Sequence, residues 1–169
     1  MRLSTRGRYA VMALVELAAR AQGRRPEDGS LACCAGASAS SGAPIDRPVS
    51  LAEIAQAQLL SVAYLEQLFA RLRRAGLVAS ARGPGGGYRL ARPAAAISIG
   101  AIIEAVDEPI TATRCGEGTP GCLAGNRCLT HDLWDELGSQ ISLFLRHISL
   151  ADVVEGRVCG RAMPPRTPS

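Results

Sequence analysis

The stretch CGEGTPGCLAGNRCLTH, residues 115–131, places three thiols and an imidazole within seventeen residues that otherwise favour turns. Cys115, Cys122, Cys128 and His131 follow the spacing C-x6-C-x5-C-x2-H. Thiolate combined with imidazole suits zinc or an iron–sulfur cluster. Structural zinc sites pair their ligands through short C-x2-4-C knuckles, and none occurs before Cys128. Three cysteines spread along a loop fit a cluster wider than a single ion. An all-cysteine cluster needs a fourth thiolate, and His131 offers imidazole in its place. Imidazole is a neutral ligand that can take a proton and leave, so such a cluster is more labile than a four-thiolate one. A histidine in the first turn of a helix is usually just a polar residue. Its place three residues after Cys128 raises the ligand reading above that one. Spacing alone leaves zinc and an iron–sulfur cluster both standing.

The remaining candidates carry less. Adjacent Cys33 and Cys34 give no rigid bite on one metal. Cys159 lies in a tail that would have to fold back to contribute, and His147 reads as structural. No Ser-His-Asp set, paired carboxylates or nucleotide fingerprint is evident, which argues against an enzyme.

A site of this kind needs a scaffold, and composition bounds it. The 169 residues suit one domain with an appendage, or one that completes its core by oligomerising. Aromatic residues make up only 4%, so the core rests on Leu, Val, Ile and Ala. The net charge of +4 conceals a split. Residues 1–92 hold 13 Arg against 6 acids, whereas residues 93–169 hold 6 Arg against 9 acids. A basic N-terminal portion raises the odds of a polyanionic partner. Arg2, Arg6 and Arg8 ahead of an apolar run imitate a signal peptide. Glu16 interrupts that run, and apolar positions 11, 14, 15 and 18 mark a helical face instead. No segment is long enough to span a membrane, so a cytoplasmic protein with reduced thiols is expected.

The periodicity predicts a first helix over about residues 6–22. Residues 23–48, rich in Gly, Ala, Ser and Pro, read as an exposed, mobile insertion. Ser50 and Glu53 form a capping-box pattern before SLAEIAQAQ. A break follows near Leu59–Leu60. Ser61 can then cap VAYLEQLFARLRRA, with Gly76 ending it at the C′ position. On that helix Leu65, Leu68, Phe69 and Leu72 form the buried stripe; Ala63, Tyr64, Glu66, Gln67, Arg71 and Arg74 lie away from its centre. Leu77–Arg82 and Tyr88–Ala91 read as two short strands around GPGGG. The expected fold is therefore mainly α with a small β-hairpin: a winged helix-turn-helix. Downstream, Ser98 can cap a short helix, the cysteine loop occupies about 109–131, and Thr130 opens a longer helix to about 148. Its apolar residues Leu133, Leu137, Ile141, Phe144 and Ile148 form a stripe that either the winged domain or a symmetric partner helix must cover. The partner helix is favoured, making the chain a homodimer. Ser149 can cap a last turn, and the tail from 156 reads as disordered.

The winged helix-turn-helix gives the basic portion a use. Gln67 can pair with an adenine edge, and Tyr64 can reach a phosphate or a thymine methyl. Glu66 repels phosphate, so it makes sense only by accepting from cytosine N4 or by rejecting unsuitable sites. Arg82, at the shoulder of the glycine loop, suits the minor groove or a phosphate.

The segments MRLSTRGRYAV, SVAYLEQLFARLRRAGLVASARGPGGGYRLAR, DEPITATRC and CLTHDLW resemble the IscR-like iron–sulfur-cluster-binding winged-helix regulators, a family that includes NsrR. The resemblance covers about residues 1–22 and 49–155. It implies a winged DNA-binding domain over 1–92, a cluster-binding and dimerising portion over 93–155, and a homodimer on a palindromic double-stranded DNA operator. It further implies a [2Fe–2S] cluster on Cys115, Cys122, Cys128 and His131, for which cluster-assembly proteins are the expected donors. The residues by themselves leave two alternatives: a winged-helix regulator stabilised by Zn2+ without a sensing role, and a winged helix that serves as a protein-interaction module. NsrR-like members lack this histidine, so His131 favours the IscR type. The implied DNA contacts are Ser61, Tyr64, Glu66, Gln67, Arg82 and Gly83, with Glu66 discriminating operator classes according to cluster occupancy. The implied role is control of iron–sulfur assembly or related genes in response to cluster status or to redox and nitrosative stress. Four features depart from the pattern: the 23–48 insertion, Leu59 where the turn expects glycine, Ala63 in place of a serine, and a first cysteine gap longer by one residue.

Overall fold

The computed structural model describes residues 5–23, 47–83, 85–106 and 129–158. The inserted segment up to residue 46, the cysteine loop through Cys128 and the tail from Cys159 lie outside them, and so do all six cysteines. The described chain runs α1 (Thr5–Ala21), α2 (Leu51–Gln58), α3 (Val62–Arg74), β1 (Val78–Ala81), β2 (Gly87–Leu90), α4 (Ile99–Ala105), α5 (His131–His147) and α6 (Leu150–Val154). A single 3-10 turn over Ala94–Ala96 leads into α4.

The caps read from sequence form as chemistry dictates. Ser50 accepts from the Glu53 amide while Glu53 reaches back to Ser50, closing a capping box that starts α2. Ser61 starts α3 by accepting from the Tyr64 amide at 3.2 Å. Gly76, at φ 68, ends that helix. Its amide reaches Arg73 O and the Leu77 amide reaches Leu72 O, the paired bonds of a Schellman stop. Because the Leu77 amide is used there, β1 starts at Val78, one residue later than the sequence pattern suggests. Ser98 caps α4, and Ser149 with Asp152 makes a second capping box before α6.

α1, α2, α3, the hairpin, α4 and α6 share one core. Leu14, Leu17, Ile54, Leu65, Phe69, Leu72, Ile102 and Leu150 are all fully enclosed. The expected α3 stripe is buried in full, at Leu65, Leu68, Phe69 and Leu72. The hairpin pairs Val78 with Leu90 and Ala81 with Gly87. Val49 adds a short third rung, exchanging hydrogen bonds with Tyr88 at 2.9 and 2.8 Å. Gly87 permits this approach, since a Cβ there would sit 2.3 Å from Val49 O.

α5 differs in kind. None of its residues is buried, and Leu133, Trp134, Leu137, Leu143 and Phe144 are exposed. Of the expected stripe only Ile148, just past the helix, enters the core; Ile141 is half-buried. Its C-terminal end is fixed where Ile99 donates to Ile148 O at 2.9 Å and Leu150 to Ile97 O at 2.7 Å. Gly100 lets α4 lie against this end: a Cβ would meet Arg146 Cγ at 2.8 Å. Arg146 also pairs with Glu104 at 2.8 Å. Thr130 occupies the N-cap position of α5 without a side-chain capping bond, because its φ −96, ψ 4 leaves the extended region a capping hydroxyl needs.

Candidate nucleic-acid interface and cluster segment

The turn between α2 and α3 determines how α3 is presented. Leu59 closes α2 in the left-handed region at φ 52, and it is the sole non-glycine residue at positive φ among those described. A β-carbon in that region costs roughly 1–2 kcal/mol. Burial gives nothing back, because Leu59 is 93% exposed. Backbone bonds hold it: its amide and that of Leu60 both donate to Ala55 O.

Beyond the turn, the expected reading residues occupy the first two turns of α3. Glu66 and Gln67 are exposed beside Ala63 and Val62, on the face opposite the buried stripe. Ser61 is exposed; its hydroxyl accepts from the Tyr64 amide and keeps its own proton to donate. Tyr64 is half-buried, because its ring stands edge-on to Tyr9 of α1 with centroids 6.0 Å apart. Its hydroxyphenyl group is thus oriented by the core as well as available at the surface. Arg71, read from sequence as outward-facing, is half-buried and donates to Val106 O at 3.5 Å. It places a cation at the C-terminal end of α4, where the carbonyl dipoles favour one. The exposed basic residues at the end of α3 are Arg73 and Arg74.

The wing supplies the second element. Arg82 and Gly83 follow β1, both exposed, with Gly83 at φ 110 and its carbonyl accepting from the Gly86 amide at 2.9 Å. A Cβ at Gly86 would lie 2.5 Å from Ala81 O, so the tight loop requires that glycine. Phe69 of α3 packs edge-to-face on Tyr88 of β2 with centroids 4.8 Å apart. That contact ties the wing to α3. Ser61, Tyr64, Glu66 and Gln67 therefore share one helix end, while Arg82 and Gly83 sit on a separate element anchored to the same core.

Glu53 is held clearly away from its ordinary value. Its carboxyl is lowered below 4.5, chiefly by the hydrogen bond from the Ser50 amide. Burial opposes the shift, while the Ser50 hydroxyl and the Arg47 charge add to it. Arg47 Nη2 lies 2.6 Å from Glu53 Oε1.

Of the cluster candidates, His131 is described: it is the first residue of α5 and half-buried. Cys115, Cys122 and Cys128 lie outside the described residues. His147 is exposed, with Nδ1 2.7 Å from Leu143 O, a local helix contact.

A helix-turn-helix whose second helix leads into a core-anchored hairpin defines a winged-helix DNA-binding regulator. The comparisons narrow that class. Residues 39–156 match the Rrf2 model, described as an iron-dependent transcriptional regulator. The HTH-type transcriptional regulator IscR of Yersinia pseudotuberculosis is 48% identical over 157 residues, covering 93% of this chain and 81% of that one. IscR of Serratia proteamaculans is 46% identical over the same span. Among solved structures, T. potens IscR superposes with TM-score 0.64 at 32% identity, over 98% of this chain and 94% of that one. CymR, the global cysteine regulator of B. subtilis, gives TM-score 0.66 at 30% identity, covering 91% and 96%. The chain belongs to the Rrf2 family of transcriptional regulators. The winged-helix fold expected from sequence is the fold these relatives share. Among the described residues no helix is long and apolar enough to cross a membrane.

Proposed function

We propose that this regulator senses iron–sulfur status, or redox and nitrosative stress, through a [2Fe–2S] cluster held by Cys115, Cys122, Cys128 and His131, and controls iron–sulfur assembly or related genes. The observation that carries the proposal is the placement of His131. It stands three residues after Cys128 and is the first residue of α5, the helix with an uncovered apolar face. The donor set fits the group, since three thiolates and one imidazole are a ligand type found on iron–sulfur clusters. The similarity to IscR supports the choice of cluster over zinc.

When bound, such a cluster supplies a charge and a set of ligand bonds that oxidants, nitric oxide or cluster shortage can remove. The chain's own residues turn that into a DNA response. A cluster held by His131 would tie down one end of α5, while the Arg146–Glu104 pair with the Ile99 and Leu150 amide bonds anchors the other to α4. α5 spans about 25 Å between those anchors. Its outward Leu133, Leu137 and Phe144 would pack on the same helix of a second copy. A change at His131 then alters how two copies of residues 1–92 are spaced on a palindromic operator. Ser61, Tyr64, Glu66, Gln67, Arg82 and Gly83 make the contacts there, Gln67 with an adenine edge and Arg82 with phosphate or the minor groove.

The test compares the cluster-loaded chain with a chelator-stripped chain on promoter duplexes of iron–sulfur assembly genes. Affinity for at least one duplex should differ between the two forms, and Glu66→Ala should shrink that difference. Binding should weaken steeply with salt, as phosphate contacts require. Equal affinity of the two forms on every duplex would remove the sensing role.

A further inference from the structure

Glu16 is the acidic residue that interrupts the apolar run of α1, and it is only 2% exposed. A buried carboxylate is tolerated where it is paired and hydrogen-bonded. Both oxygens of Glu16 are used. Oε1 accepts from Arg20 Nε one turn along α1, and Oε2 accepts from Gln58 Nε2 at 3.0 Å. Gln58 is the last residue of α2 and immediately precedes the left-handed Leu59. Arg20 also reaches the other end of α2, with its Nη1 3.7 Å from Glu53 Oε1. α1 therefore grips α2 at its first and its last turn.

We infer that Glu16 is a positioning residue for DNA recognition: with Arg20 it fixes α2, and through Gln58 it holds the Leu59 turn so that α3 meets DNA at one angle. The turn needs such a hold. A leucine in the left-handed region favours leaving it, and exposed Leu59 has no packing of its own to resist. Helix α3 follows after Leu60 and Ser61, so drift in the turn moves Glu66 and Gln67 together. Phosphate contacts tolerate such drift better than base contacts, which depend on paired hydrogen-bond geometry. Loss of the grip should therefore reduce discrimination between sequences more than total affinity. The inference rests on α3 being the helix that reads bases.

The experiment uses the full chain and two duplexes of equal length: one recovered by the unaltered chain from a random-sequence pool, and a scrambled control. The readout is the ratio of the two affinities, measured beside the melting temperature. Glu16→Leu takes one partner from a buried pair and should lower the melting temperature, so both affinities are read well below it, where the chain stays folded. The substitution should lower the ratio about tenfold, the scale of one lost hydrogen bond. Gln58→Ala should do the same, whereas Glu16→Gln, which keeps an acceptor for Gln58, should restore most of the ratio. Gln67→Ala serves as the reference and should lower the ratio by loss of a base contact. If Gln67→Ala lowers the ratio while Glu16→Leu and Gln58→Ala both keep it, the positioning role is wrong. If Gln67→Ala also leaves it unchanged, α3 does not read bases, and the inference falls with that premise.

Discussion

The two amphipathic helices α3 and α5 have had their apolar stripes treated in opposite ways. α3 buries Leu65, Leu68, Phe69 and Leu72, has both ends capped, and is tied to the wing through Phe69 and Tyr88. α5 leaves Leu133, Leu137 and Phe144 exposed, starts without a side-chain cap, and touches the body through its last turns. The first is a finished element whose orientation the core determines. The second is an element whose orientation the described core determines at one end only. That difference is what the proposed sensing role requires, with one part presenting side chains rigidly and another answering a signal.

The fixed orientation of α3 rests first on its buried aromatic. Phe69→Ala should destabilise the winged portion by about 3–5 kcal/mol, as truncation of a buried aromatic does. Chemical denaturation followed by circular dichroism would measure the loss. A loss below about 1 kcal/mol would mean that α3 is less firmly fixed than its burial indicates. On the other helix, Leu137→Asp should leave the stability of the winged portion within about 0.5 kcal/mol, as surface changes do. The same change should weaken self-association by about 30-fold or more if Leu137 lies at the centre of a helix pairing. Analytical ultracentrifugation distinguishes these outcomes, and unchanged self-association would place the partner surface elsewhere.

Smaller effects are expected around the turn between α2 and α3. Leu59→Gly removes the left-handed penalty but adds freedom to the unfolded chain, so a net gain of up to about 1 kcal/mol is expected. A thermal melt that shows a loss would mean that exposed Leu59 makes a contact worth more than the strain. The smallest effect is that of Glu53→Gln. Glutamine keeps the capping-box acceptor and loses the charge beside Arg47, so the cost at neutral pH should be below about 1 kcal/mol. The folded-state value of Glu53 is lowered, so its charged form contributes stability above pH 4.5. That contribution is lost as pH falls through the lower folded value. Denaturation curves for the two chains should converge in acid and separate on the way to neutral pH. A gap that widens in acid would contradict the sign.

Much of the portion from α2 through the hairpin was legible because its signals are local. Ser50 with Glu53, Ser61 and Gly76 each announce a helix end within a few residues, and the four-residue stripe announces which face of α3 is buried. Leu59 was visible as an anomaly for the same reason, and its φ of 52 explains why glycine is expected there. Long-range partners left no such trace. Nothing periodic marks Val49 as a rung beside Tyr88, or sends Arg71 to the carbonyl of Val106. Glu16 read as a break in an apolar run, whereas its carboxylate is buried with Gln58, 42 residues away, as partner. The Glu16–Arg20 spacing of four was the one local hint. For α5 the stripe showed that something must cover it, but a single chain's pattern cannot name the cover. The cysteines pose a different case. Their spacing stated a donor set without stating the metal, and only His131 among the four candidate ligands lies within the described residues.

The proposed sensing role stands on an iron–sulfur cluster held by His131 and the three cysteines at the entrance to α5. The most direct measurement is the visible absorption spectrum of the anaerobically purified chain with iron, sulfide and zinc counts, beside His131→Ala. A cluster there gives a coloured protein with iron and acid-labile sulfide in equal amounts, and faster cluster loss with an altered spectrum in His131→Ala. A colourless chain with stoichiometric zinc and no iron would contradict it.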